Sequence, residues 1–260
     1  MSTNENKGKK AEVTALQAIS AEDRKDWISL AFVQAGICVC VPAFLLGALL
    51  AEAMPIWPAI ISGSLGYLIV VVGMVATGMI GCDLGLASCT CCQAGFGKSG
   101  ARFIVSTIFA VNMIGWFGIQ NGVCGEAFSN AMLAMTGWDI PVVVSNTIWG
   151  IIMLLTAVYG VHALEKLDKI SIPLLMIIMC YGIFLAFKVY GTGNLNDEGT
   201  VQSMSFMSGV ALSFNFTAVG TITGPDYTRF QKSRKDTVKS VFYGVFPMGV
   251  ITLIMGIVLT

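Results

Sequence analysis

Seven stretches of about 20 apolar residues, each bounded by charge, Gly or Pro, restrict this chain more than any other feature of its sequence. They run over residues 28–51, 57–80, 103–134, 140–159, 170–189, 202–224 and 238–260. Only 12% of the 260 residues are charged and 55% are hydrophobic. Soluble domains carry about one quarter charged residues, so a water-soluble globule is excluded. Hydrocarbon cannot satisfy open backbone groups, and the period-two alternation that a barrel needs is absent, so the spans are read as helices. The fold class is an all-α polytopic membrane protein, with a polar N-terminal tail over residues 1–27 ending in a short interfacial helix and a transmembrane domain over residues 28–260. The tail has no apolar core followed by a small-residue cleavage site, so it is no signal peptide.

Orientation follows from the basic residues. Lys7, Lys9, Lys10, Arg24 and Lys25 precede the first span, Lys98 and Arg102 follow the second, and Lys166 and Lys169 follow the fourth. Arg229, Lys232, Arg234, Lys235 and Lys239 follow the sixth, which leaves only Lys188 of 15 on the other side. The positive-inside bias puts the N terminus in the cytoplasm of a multi-pass protein of the cell membrane. Seven spans from that start leave Thr260 outside, within an apolar run, so the chain is expected to be cut short.

Several local signals lead nowhere. The loop with Cys82, Cys89, Cys91 and Cys92 falls on the reducing side, its spacing lacks a pair of Cys-x-x-Cys arms and no His is near, so its thiols read as small fillers. Cys38, Cys40, Cys124 and Cys180 lie in spans and read as packing residues. Gly95-Phe96-Gly97-Lys98-Ser99 resembles the end of a phosphate loop, but Cys92 occupies the required earlier Gly and no strand precedes it. His162 has no catalytic partner in sequence reach, and no nucleophile, acid pair or metal set appears, so no enzyme is expected. The balanced charge, 15 basic against 15 acidic residues, has no aromatic-interleaved basic stripe, which argues against nucleic acid as a partner.

The polar content within three spans is what needs a function, because polar groups at membrane depth face a cavity or another helix. Asn112, Trp116 and Gln120 in the third span are spaced four apart and share a helical face. A Trp at mid-depth with an amide one turn away suits a flat, hydrogen-bonding ligand; amides that only bond between helices are the alternative. Glu126, nearer the outside, is either an outer-gate acid or a partner for a polar neighbour. The sixth span carries Ser205, Ser208, Ser213, Asn215, Thr217, Thr221 and Thr223 with Gly209, Gly220, Gly224 and Pro225, and reads as a broken helix whose midpoint falls at Asn215 and Phe216. The first span is interrupted in the same way by Gly36, Pro42 and Gly47 around Val39, where Pro42 frees the carbonyl near Cys38.

Three elements carry a family resemblance: Gly115-Trp116-Phe117-Gly118-Ile119-Gln120; Gly85-Leu86 through Gly95-Phe96-Gly97-Lys98-Ser99-Gly100; and Gly224-Pro225-Asp226-Tyr227-Thr228-Arg229-Phe230. Together they resemble the nucleobase:cation symporter-1 family, its cytosine permease branch in particular, over 28–260. The resemblance implies a five-plus-five inverted repeat of the leucine-transporter type, with about twelve spans in a full-length member. It implies that a planar base stacks on Trp116 and bonds Gln120, with an aromatic of the sixth span over its other face; aligning back from Asp226 gives Thr217, and the nearest aromatic is Phe216. Asn112 and Asn215 are further candidate contacts. It also implies a cation, sodium or a proton, held at backbone carbonyls matching Gly36 and Val39 together with hydroxyls of an eighth span, and no other cofactor. Expected partners are thus a nucleobase, cytosine first, a coupling cation and the bilayer; the other cargoes of the family are purine, uracil, allantoin, hydantoin and thiamine. A membrane sensor or assembly protein without transport is the rival reading, and oligomeric state is left open.

Overall fold

The computed structural model describes residues 16–158, 161–191 and 203–260, and the early basic residues Lys7, Lys9 and Lys10, the ends of the expected spans at residues 159 and 202, and the side chain of His162 lie outside them. Helices dominate these residues and no strand occurs among them. The expected first span is two helices, α1 (Trp27–Cys38) and α2 (Val41–Ala53), bent by 53°. The break is local chemistry. Pro42 has no N–H to offer the Cys38 carbonyl and its ring crowds that position, yet it sits comfortably in the first turn of α2. Val39 (φ −90°, ψ 75°) and the extended Cys40 join the two halves.

The second span is α3 (Ile56–Leu84), closed by Gly85 in the left-handed region at φ 65°. Two short helices follow, α4 (Ser88–Cys91) and α5 (Gln93–Gly100), and a π turn at Ala101–Val105 leads into α6 (Ser106–Thr136). Next come α7 (Val142–Val158), which at 17 residues is the shortest of the expected spans, and α8 (Val161–Tyr190). α8 begins well ahead of the apolar stretch 170–189. The sixth span is α9 (Phe206–Thr217) and α10 (Val219–Thr228), and α11 (Arg234–Leu259) is the last. The interruption between α9 and α10 is milder than expected and falls at Ala218, whose angles (φ −55°, ψ −30°) stay helical. It lies two to three residues beyond the expected Asn215 and Phe216.

α3 is the centre of the bundle, packed against α9, α10 and α11, while α11 also holds α1 and α2. Tyr67, Val70, Val71 and Met74 of α3 are almost wholly buried with Leu50 and Leu253. Close approach of α2 and α11 depends on Gly47 and Gly256, where an added Cβ would overlap the carbonyls of Leu253 and Phe44 respectively. Large apolar side chains such as Ile108, Ile114, Ile151, Leu174 and Ile177 cover the outer faces of α6, α7 and α8. Such faces suit lipid or further helices, and the molecule is a multi-pass membrane protein.

At the end that carries most of the basic residues, the segment before α1 is strapped across the bundle. Ile19 donates its N–H to the Gly85 carbonyl (3.0 Å), Lys25 to that of Phe230 (2.6 Å), and the Arg24 guanidinium bonds the Gln231 carbonyl (3.0 Å). Asp226, in the Pro-Asp-Tyr-Thr-Arg-Phe element, accepts from both the N–H (3.0 Å) and the hydroxyl (2.7 Å) of Ser88 at the start of α4. A carboxylate there also meets the positive end of a helix. Ser88→Ala removes the hydroxyl bond and keeps the backbone one, so a loss of about 1 kcal/mol is expected, read as a lower melting temperature in detergent. Base binding in that variant should be unchanged, since Ser88 does not line the cavity described next.

Candidate functional site

A cavity of about 310 Å³ lies at the α1–α2 break, near the small end of the range of about 300–1,000 Å³ usual for small-molecule sites. Gly36, Ile37, Cys38 and Cys40 line it from the break; Tyr67, Val70 and Met74 from α3; Phe216, Thr217, Gly220, Thr223 and Tyr227 from α9 and α10. α6 contributes Met113, Trp116, Phe117 and Gln120, one stripe at i, i+3, i+4 and i+7.

Trp116, Gln120 and Phe216 therefore converge, as does Thr217 beside Phe216. Asn112 does not: it is exposed and off the cavity wall. Each step of four residues turns the helix by about 40° beyond a full rotation, so Asn112 and Gln120 differ by about 80° and Met113 takes the place on the wall. Asn215 likewise points away and is exposed, one residue from Phe216 and so about 100° around the helix. Glu126 is exposed and takes no part in the cavity.

The indole of Trp116 and the ring of Phe216 meet edge to face, with centroids 5.3 Å apart and planes at 84°. A flat ligand stacked on Trp116 with Phe216 over its other face requires Phe216 to swing out of this contact. The Gln120 side chain lies near the Cys40 thiol across the cavity, and that thiol donates to the Ile37 carbonyl (3.4 Å). A thiol is a weak partner, so the Gln120 amide is left available to an incoming ligand. Sequence reasoning missed Tyr67. Its side chain is fully buried against the cavity and its hydroxyl has no partner among the described residues, which leaves a donor for a ligand. The signal was present: Tyr67 is a polar aromatic at mid-span, the same criterion that singled out Trp116.

The two residues expected to hold a cation lie at the break itself. No backbone N–H among the described residues bonds the carbonyl of Gly36, Cys38 or Val39. The Val39 side chain is 3% exposed and packs with Ala35 and Ile172, so only its carbonyl is left for an ion. Unwound carbonyls at a helix C-terminal end are the donor set that suits an alkali cation, and the residues fit one. The cysteine loop has no comparable design. Burial raises the Cys89 and Cys91 thiols above their ordinary pKa, which disfavours the thiolate a metal would need.

A helical membrane bundle whose first helix breaks beside an aromatic-lined cavity has the build of a broken-helix transporter. Residues 19–260 match the family of permeases for cytosine/purines, uracil, thiamine and allantoin, and the chain belongs to that family. It is a family of permeases, not of enzymes. Cytosine permease of Escherichia coli K12 is 27% identical over 237 residues, which cover 90% of this chain and 54% of that protein. The purine-uracil permease NCS1 of Arabidopsis thaliana is 25% identical, covering 85% of this chain and 41% of that one, and the allantoin permease of Bacillus subtilis 23%, covering 86% and 50%. The chain thus spans about half the length of the curated relatives it matches. Among solved structures, the nucleobase-cation-symport-1 family transporter Mhp1, closed with bromovinylhydantoin bound, superposes with a TM-score of 0.85 at 18% identity, over 95% of this chain and 57% of that one. The fold is of that kind, the leucine-transporter type.

Proposed function

We propose that this protein serves a secondary active transporter that imports a nucleobase, cytosine first, by cation symport and alternating access about the cavity. The observation that carries this reading is the meeting of Trp116, Phe216 and Gln120 in one small cavity at the break of the first helix. Aromatic faces accept any planar ring, and the amide, able to donate and accept, reads its edge. The likeness to a cytosine permease supports the choice of cargo, and purine, uracil, allantoin, hydantoin and thiamine are the other members of that class of ligand. Coupling to sodium or a proton rests on the free carbonyls of Gly36, Cys38 and Val39. Base and cation drive uptake together to the extent that each stabilises the same closing state more than the empty one.

Counterflow in proteoliposomes tests the function. Liposomes preloaded with unlabelled cytosine should take up labelled cytosine transiently above equilibrium, whereas a sensor or assembly protein would bind without exchange. Absence of exchange for every planar base would refute transport. The proposed orientation, with the N terminus in the cytoplasm of the cell membrane, has its own check. In a cysteine-free background, single cysteines introduced as Ser99→Cys and Ser233→Cys should be modified by an impermeant maleimide only after the membrane is opened. Labelling of both in intact cells would reverse the topology.

A further inference from the structure

One carboxylate is seated against the broken helix from outside the cavity. Asp168 lies two turns into α8 and is half-buried, while Lys166, Leu167, Lys169 and Ile170 around it are exposed. Its Cγ, Oδ1 and Oδ2 all lie 2.9 Å from the point that a Cβ on Gly36 would occupy. The carboxylate therefore rests on bare backbone, and only glycine at position 36 admits it there.

This is an unfavourable place for an uncompensated negative charge. The last turn of α1 presents the carbonyls of Gly36, Cys38 and Val39 without backbone donors, and the C-terminal end of a helix is its negative pole. Tyr227, on the cavity wall, is near enough to interact electrostatically with Asp168 and offers it no positive charge. The positive end of α8 is too far away to help, since a helix dipole acts over its first turn. Among the described residues Asp168 forms neither an ion pair nor a hydrogen bond. The carbonyl-bearing end of α1 and a carboxylate meet where a cation would offset both.

We propose that Asp168 is a ligand of the coupling cation, joining the carbonyls of Gly36 and Val39 in holding a sodium ion. The assignment rests on the symport reading above and adds to it a charged ligand from α8. It gives sodium a structural consequence: the ion links α8 to the α1 break, and its loss leaves a carboxylate facing helix carbonyls across that seam.

The test measures sodium binding without transport. Melting temperature of the purified protein is followed against sodium chloride at constant ionic strength in choline chloride, and cytosine affinity is measured at the same sodium concentrations. The wild type should be stabilised by sodium and bind cytosine more tightly in it. Asp168→Asn, which keeps the size and removes the charge, should need at least tenfold more sodium for half the effect. Its sodium-free melting temperature should equal or exceed that of the wild type, since the uncompensated charge is gone. Asp168→Glu should recover part of the sodium affinity, and Gly36→Ala, whose methyl would displace the carboxylate, should lose it even if Asp168→Asn folds poorly. A sodium dependence in Asp168→Asn equal to the wild type would overturn the role of Asp168 and leave the symport reading standing. A wild type indifferent to sodium in both measurements would overturn the sodium site together with sodium coupling.

Discussion

Trp116→Ala is expected to weaken base binding by roughly one to two orders of magnitude, because stacking on an aromatic is worth about 1–3 kcal/mol per base. Trp116 sits on the cavity wall with Phe216 at its edge, so truncation removes both the platform for the ligand and the ring that positions Phe216. Trp116→Phe keeps a π face and should lose much less. Comparing the two separates stacking from simple loss of packing: a packing role would show as a lowered melting temperature with affinity preserved. Isothermal titration or equilibrium dialysis with cytosine reads the affinity directly.

Gln120→Ala should change which base is preferred. A buried hydrogen bond lost to the ligand costs about 1–3 kcal/mol for bases that use it and little for those that do not. The expected result is a re-ordering of affinities among cytosine, uracil and a purine, by up to about a hundredfold for the most affected. Gln120 also lies beside the Cys40 thiol across the cavity, and that link allows a purely structural role. In that case Gln120→Ala would lower thermal stability and leave the ranking of ligands intact. Cys40→Ala is the control, since it breaks the same link while leaving the amide free for the ligand.

Much of this arrangement is legible in the residues, and the failures have physical causes. Pro42 marked the break of the first helix to within two or three residues, because a missing N–H and a steric clash act locally. The α9–α10 interruption was harder to place. Gly and hydroxyl residues spread over the whole span, and the slight interruption falls at Ala218, which is neither and keeps helical angles. Of the third-span stripe, Trp116 and Gln120 reach the cavity wall and Asn112 does not, as a spacing of four drifts around a helix of 3.6 residues per turn and only tertiary contact fixes which edge is used. Tyr67 met the mid-span criterion that singled out Trp116 but had no amide one turn away to draw attention to it, and Asp168 was hidden by the assumption that a charge between two apolar stretches lies in a loop. α8 in fact starts at Val161 and carries Asp168 against Gly36, a contact between residues 132 positions apart that no local pattern encodes.

The central claim is that the cavity at the α1–α2 break holds a planar nitrogen heterocycle. Equilibrium binding of radiolabelled cytosine to the purified protein, with unlabelled competitors, tests it most directly. The expected result is one saturable site displaced by planar heterocycles such as uracil or a hydantoin, unaffected by a sugar or an aliphatic amino acid, and weakened at least tenfold in Trp116→Ala. Saturable binding of no planar heterocycle, or binding that Trp116→Ala leaves undiminished, would contradict the account.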